Sequence, residues 1–296
     1  MATGKMRPMF SITPQHDFLV GIDSDGCVFD SMEIKHKECF IPNFIKHYGL
    51  QGVSKYAREA AEFVNLYSKS RGINRFPALV EQLEWLRRRL EVQARGVDVP
   101  LPKGLVEWIA RESKLGNPTL EKAIAETDDP DLKQALVWSL AVNESIAAMV
   151  RGVPPFPYVR QCLERFSGRA DMIVCSQTPC AALEAEWKEH ELARYVVAIC
   201  GQEVASKKEA LGEAKQYPPD HALMIGDAPG DYKAAVANSC LFFPINPGAE
   251  EASWRRLYEE GIMRFFDGSF SGAYQEQLLA EFDTFLPERP PWKVDE

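Results

Sequence analysis

Two pairs of aspartates stand where an apolar run gives way to a turn. In Phe18-Leu-Val-Gly-Ile-Asp23-Ser-Asp25-Gly26, two carboxylates one residue apart close the run and a glycine follows. In His221-Ala-Leu-Met-Ile-Gly226-Asp227-Ala-Pro-Gly-Asp231, a second apolar run ends in Gly-Asp, with another aspartate four residues on. Carboxylates crowded together repel one another unless a cation joins them, and oxygen-rich clusters suit Mg²⁺. Each pair alone also reads as ordinary punctuation: an Asp-Gly turn, or an aspartate capping a helix that starts near Tyr232. Two such strand ends in one parallel sheet lie at the same edge, where open α/β sheets bind ligands.

Two further residues fit phosphate chemistry. Ser176 follows the apolar run Met172–Cys175 and precedes a helical stretch, so its hydroxyl and the neighbouring N–H groups can hold phosphate oxygens. Lys207 opens a helix in Ala-Ser-Lys-Lys-Glu-Ala-Leu, an unfavourable place for a cation unless a partner lies elsewhere. Taken singly, the serine is a helix-start signal and the lysine a solvated surface charge.

The elements that must position these groups are legible as two textures. Phe18–Ile22, Met172–Cys175, Val196–Cys200, Ala222–Ile225 and Leu241–Ile245 are short apolar runs without alternation, the pattern of strands buried on both faces. From the second run onward, helical stretches such as Cys180–Tyr195 and Ser206–Gln216 separate them, which predicts an α/β fold with a parallel sheet and helices on both faces. From about Met32 to Arg151 the pattern is helical only. Phe76, Leu79, Val80, Leu83, Leu86 and Leu90 fall on one helix face, and so do Leu132, Leu136 and Leu140. The expected division is therefore an α/β core from 1–31 and 152–296 with an all-helical domain, 32–151, inserted into it. The Pro-rich stretch from Pro287 to Trp292 is expected to run over the surface, and Glu250 and Glu251 suit the first turn of a helix.

Composition limits what the chain does. With 296 residues, 46% apolar and 26% charged, it reads as a globular protein large enough for two cores. A net charge of −9 argues against a nucleic-acid partner, but not against a phosphorylated small molecule, since a local cation reverses the sign inside one pocket. No apolar run reaches the ~20 residues of a membrane-spanning helix, so no membrane partner is expected. The opening residues lack the apolar core of a secretory signal. The seven cysteines are scattered, without CxxC pairing, and predict a reduced, cytoplasmic protein.

The order of the pieces resembles the haloacid dehalogenase-like (HAD) superfamily. Its pattern, strand-DxDGxxxD, strand-Ser, Lys, strand-GDxxxD, is met here by Asp23, Asp25 and Asp30, then Ser176, Lys207, and Asp227 with Asp231. The likeness spans residues 18 to about 245. It implies a Rossmann-like core with a mobile cap, here a helical cap inserted after the first motif as in the phosphoglycolate phosphatase and β-phosphoglucomutase branch. It implies a Mg²⁺-dependent phosphoric monoester hydrolase in which Asp23 attacks phosphorus, Asp25 acts as acid and then base, and Ser176 and Lys207 hold the phosphoryl group. Asp23, Asp25 through its backbone carbonyl, and Asp227 would bind Mg²⁺ with Asp231 in support. Gln177, where Asn is frequent, and Thr178 would border the substrate. Lys207 is preferred over Lys208 because Leu211 then falls four residues on, facing the core.

Within such a family the cap selects the leaving group. The segment Tyr67-Ser-Lys69-Ser-Arg71-Gly72-Ile-Asn74-Arg75 gathers three cations around a glycine, and Arg71 and Arg75 are the candidates for an anionic substrate group. The substrate expected is a small phosphorylated metabolite, and the assembly a monomer or homodimer. A phosphomutase on the same core, and a catalytically idle binding protein, are the alternatives. The presence of Asp23, Asp25 and Asp227 argues against the idle one, and the carboxylate at position 25 argues against dehalogenase and phosphonate chemistry.

Overall fold

The computed structural model describes residues 10–295; most of the opening stretch in which no secretory signal is expected lies outside them. The chain forms two compact units. One takes the chain up to Asp30 together with Pro154–Asp283, and the other takes Ser31–Val153 together with the residues from Thr284 onward.

The first unit holds five parallel strands: β1 (Phe18–Ile22), β2 (Ala170–Cys175), β3 (Ala198–Cys200), β4 (Ala222–Gly226) and β5 (Leu241–Pro244). Their spatial order is β3-β2-β1-β4-β5. The sheet therefore grows outward from β1 in one direction and then restarts beside β1 in the other, which puts a topological switch next to the central strand. Residues of β2, β4 and β5 are buried on both faces, as their unbroken apolar runs require. The helical stretch expected at Cys180–Tyr195 is helical over Cys180–Glu189, followed by a short 3₁₀ turn at Ala193–Tyr195. Likewise Ser206–Gln216 divides into an α-turn, Lys207–Ala210, and a 3₁₀ turn, Leu211–Gln216.

Asp171, at the start of β2, anchors the segment that leads into β1. Its Oδ2 accepts hydrogen bonds from the backbone N–H groups of Gln15 (2.9 Å) and His16 (3.2 Å) and from the Tyr217 hydroxyl (2.9 Å), and His16 Nδ1 lies 2.9 Å from Oδ1. Burial alone would raise this carboxyl's pKa; the bonds from His16, Gln15 and Tyr217 outweigh it and hold the pKa below the ordinary 3.8.

The second unit is built of helices, with no strand among its described residues. Its core joins Phe44, Leu79, Leu83, Leu105, Trp108, Leu132 and Trp138. Phe76 meets the Trp108 ring edge-on at 5.2 Å. Two expected stripes are corrected. The helix Arg75–Arg88 stops short of Leu90, which belongs to the next turn and is exposed, because Arg89 leaves the helical conformation at ψ 123°. In the helix Pro130–Met149 the buried face is Leu132, Ala135, Trp138, Ser139 and Val142; Leu140 is exposed, since the large Trp138 side chain turns the inward face away from it.

The tail is also corrected. From Thr284 onward it belongs to the helical unit, not to the α/β unit with which the whole tail was expected to pack. Trp292 supplies the reason: its ring packs on Phe63 at 5.5 Å and under the Arg89 guanidinium at 4.6 Å. Beside it, Asp295 N–H donates to the Arg88 carbonyl at 2.8 Å, and Val294 bridges Arg89. No helix among the described residues is long and apolar enough to cross a membrane.

Asp171→Ala would leave the buried Tyr217 hydroxyl and two part-buried N–H groups without their acceptor, and is expected to cost about 3 kcal/mol, roughly 5 to 10 °C in Tm, by calorimetry. Because this pKa is depressed in the fold, the contribution is fully present above the unfolded value near 3.8 and fades as pH falls through the lower folded value. An unchanged Tm would show that the anchor contributes nothing.

Candidate active site

Strand register brings the motif residues together. Ile22 of β1 pairs with Val174 of β2 on one side and with Ile225 of β4 on the other. Asp23, the next residue, is thus level with Cys175 and Gly226, and its N–H donates to the Ile225 carbonyl at 3.0 Å. Ser176 and Asp227 lie one step beyond, at the ends of the two flanking strands. The carboxyl edge of β1, β2 and β4 therefore gathers one residue from each of three motifs.

After Asp23 the chain makes a tight loop. The Ser24 carbonyl accepts from the N–H groups of Cys27, Val28 and Phe29, at 3.3, 2.9 and 3.2 Å. Gly26 sits at φ 74°, a left-handed conformation that costs glycine nothing and other residues strain. Two indoles pin this loop: Trp187 Nε1 donates to Ser24 Oγ at 3.0 Å, and Trp254 Nε1 to the Cys27 carbonyl at 2.7 Å. Asp25 is half-buried on the loop, and Asp30, its last residue, is exposed.

The acidic centre consists of Asp23, Asp227 and Asp231, all buried, with one carboxylate oxygen from each lying within 4.8 Å of the others. Lys207 Nζ lies 2.7 Å from Asp23 Oδ2 and 2.5 Å from Asp231 Oδ1. Asp231 is a brace. Its other oxygen accepts from the Asp227 N–H (3.2 Å) and the Ala228 N–H (3.0 Å). Gly226 makes this close approach feasible, since a Cβ there would lie 2.5 Å from both Cβ and Cγ of Asp231. Lys207 is aimed by a capping box, in which Ser206 Oγ accepts from Glu209 N–H at 3.2 Å and Ser206 N–H donates to Glu209 Oε2 at 2.8 Å. The structure brings Lys207 to the aspartates and leaves Lys208 exposed, while Leu211 is fully buried.

Crowding sets the electrostatics. Burial, opposed by Lys207 and reinforced by Asp231 and Asp227, pushes the Asp23 carboxyl well above its usual range. Burial alone would lower the Lys207 ammonium, but Asp23, Asp231 and Asp227 outweigh it and raise it well above its ordinary value. Three buried carboxylates against one ammonium leave an excess of two negative charges when all are ionised, with oxygens as the only donors. That donor set suits a hard divalent cation.

Ser176 is 3% exposed, and its N–H donates to the Cys200 carbonyl at 3.0 Å. Its Oγ accepts from Thr178 N–H at 3.2 Å, and Thr178 Oγ1 donates to Asp25 Oδ2 at 2.7 Å. Gln177 is exposed. Arg71 and Arg75 belong to the helical unit and are engaged with its own groups. Arg71, 3% exposed, donates to the Leu66 carbonyl at 2.9 Å. Arg75 reaches Ser139 Oγ (2.9 Å) and Asn143 Oδ1 (2.7 Å) and stacks over Phe40. The Arg75 contacts tie the start of its helix to the helix Pro130–Met149.

Several site-building residues escaped sequence reasoning: Ser24, Trp187, Trp254 and Gly201. A tryptophan gives no local sign of which carbonyl or hydroxyl it will meet. Gly201 did give one, as a glycine directly after a strand at the ligand-binding edge; a Cβ there would lie 2.6 Å from Thr178 O and Cys180 N.

No family model matches the chain. No curated protein matches it. Solved structures do resemble it. A haloacid dehalogenase-like hydrolase from Streptococcus pneumoniae is 13% identical, with 80% of this chain and 90% of that one covered and a TM-score of 0.46. A predicted phosphoglycolate phosphatase from Haemophilus somnus is 16% identical over 78% and 86% of the two chains, with a TM-score of 0.39. A protein from Bacteroides vulgatus named as a β-phosphoglucomutase is 14% identical over 87% and 93%, with a TM-score of 0.43.

Gly226→Ala would drive a methyl group into Asp231 and loosen its hold on Lys207. Denaturant unfolding is expected to show a loss of about 1–3 kcal/mol. A variant as stable as the wild type would contradict the close packing of Gly226 on Asp231.

Proposed function

We propose that the chain is a HAD-type phosphatase, a Mg²⁺-dependent phosphoric monoester hydrolase acting on a small phosphorylated metabolite through an aspartyl-phosphate at Asp23. The observation that carries the reading is the buried cluster at the switch of the sheet, where Lys207 bridges Asp23 and Asp231 beside Asp227.

Asp23 is the nucleophile. Its ammonium partner at 2.7 Å favours the carboxylate form that attack requires. The Asp23 oxygen bonds to phosphorus as the bond to the ester oxygen breaks. Asp25, two residues on and half-buried, gives its proton to the departing alkoxide, and then takes one from the water that attacks phosphorus and frees Asp23. Lys207 and Ser176 bind the non-bridging oxygens, where charge accumulates and where most catalysis of this reaction lies. Mg²⁺ would be held by the carboxylates of Asp23 and Asp227 and the Asp25 carbonyl, with Asp231 bracing Asp227 through its N–H; when bound, it supplies neutralisation of phosphoryl charge. The same edge is buried enough that such charges interact strongly.

The further reading is of a cytoplasmic enzyme, a monomer or homodimer, acting on a soluble ester with no nucleic-acid partner; the net charge of −9 supports the last point.

Phosphate release from a panel of monoesters is expected with Mg²⁺ and not with EDTA, and Asp23→Asn is expected to lower it by at least about a thousandfold. Turnover by that variant at the wild-type rate would remove Asp23 as the nucleophile. Because the Asp23 carboxyl is raised above its usual range, a proton competes with the metal there at low pH, so Mg²⁺ affinity should climb with pH through that raised value and then level off. Titration calorimetry at a series of pH values checks this; an affinity that does not rise with pH would contradict it.

A further inference from the structure

We propose that Thr178 is a positioning residue: its hydroxyl holds the Asp25 carboxylate, and the loop after β3 holds Thr178 in turn. This inference rests on the phosphatase reading of the site and assigns Thr178 a part distinct from direct contact with substrate.

The Thr178 hydroxyl has one proton, and it is given to Asp25 Oδ2 at 2.7 Å. A carboxyl group on a loop can sample several rotamers, and a short hydrogen bond to one of its oxygens selects among them. The main chain at Thr178 is fixed independently of that side chain. Its N–H donates to Ser176 Oγ at 3.2 Å, and its carbonyl accepts from Gln202 N–H at 3.2 Å. The next turn is fixed from the same side: Cys180 N–H donates to Glu203 Oε2 at 3.0 Å, and Gly201 N–H to Cys180 Sγ at 3.2 Å. Gly201 leaves no room for a side chain against the Thr178 carbonyl. The ends of β2 and β3 thus form one clamp, which reaches Asp25 of the β1 loop through the threonine hydroxyl.

The consequence concerns the leaving group. An acid that must meet the ester oxygen matters most when the departing alkoxide is a strong base, and least when the leaving group departs unaided. Loss of the Thr178 hydroxyl therefore penalises alkyl phosphates more than aryl phosphates. A hydroxyl that binds substrate directly would instead change KM for both.

The test compares wild type, Thr178→Val, which keeps the shape, and Thr178→Ser, which keeps the hydroxyl, on p-nitrophenyl phosphate and on the best alkyl phosphate of a monoester panel. In single-turnover rates of phosphoryl transfer to Asp23, which precede the water step that Asp25 also serves, Thr178→Val is expected to lose roughly tenfold more on the alkyl ester than on the aryl ester, with KM changed by less than about twofold. Thr178→Ser is expected to recover most of the alkyl rate. Equal losses on both esters, an effect confined to KM, or a serine variant no better than the valine variant would each overturn the inference while leaving the phosphatase reading in place. A wild type that releases phosphate from neither ester would overturn both.

Discussion

Like charges gathered away from water raise one another's proton affinity and resist being brought together. At the end of β1 this protein places Asp23, Asp227 and Asp231 within reach of one atom-sized position and admits a single ammonium, from Lys207, between two of them. The surroundings follow from that demand. Asp231 has its second oxygen satisfied by two backbone N–H groups, Gly226 gives up its side chain so that Asp231 can approach, and a capping box fixes the helix start from which Lys207 reaches inward. An arrangement that remains electrostatically frustrated when all its carboxylates are ionised is prepared for positive charge, which suits both a divalent cation and the neutralisation of a transferring phosphoryl group.

Position in the sheet does the rest. Since β1 is flanked by β2 and β4 in parallel register, residues that follow the three strands arrive at one edge with no further instruction. Side chains are then held from outside the motifs. Two tryptophans from separate helices bond to the Asp23–Asp30 loop, and the loop after β3 closes on the loop after β2. Rigid support from neighbouring elements keeps the side chains of such a loop in place where a bare surface loop would let them wander.

The strands and the two acidic strand ends were legible because the signals are local: apolar runs five or so residues long, two of them ending in paired aspartates. Lys207 was separable from Lys208 through the burial of Leu211, which is again a spacing argument. What was not legible depends on contacts distant in sequence. Leu140 fits a helical stripe by period, but Trp138 and Val142 take the inward face. The Pro-rich stretch does run over the surface, but nothing local shows that Trp292 meets Phe63 and Arg89 about two hundred residues earlier in the sequence. The partners of the two loop arginines were not legible either: Arg71 donates to the Leu66 carbonyl and Arg75 to Ser139 Oγ. Thr178 carries no motif of its own, and its bond to Asp25 exists only because β1 and β2 are neighbours.

The most direct test of the central claim is chemical capture of a phosphoryl group on Asp23. Wild-type protein turning over its best ester with Mg²⁺ would be quenched and treated with borohydride, which reduces an acyl phosphate to the alcohol, and the peptides would be mapped by mass spectrometry. The account predicts homoserine at position 23 and nowhere else, present only when ester and metal were both supplied. Reduction at a different carboxylate, or steady turnover with no reduction at Asp23 at any quench time, would contradict it.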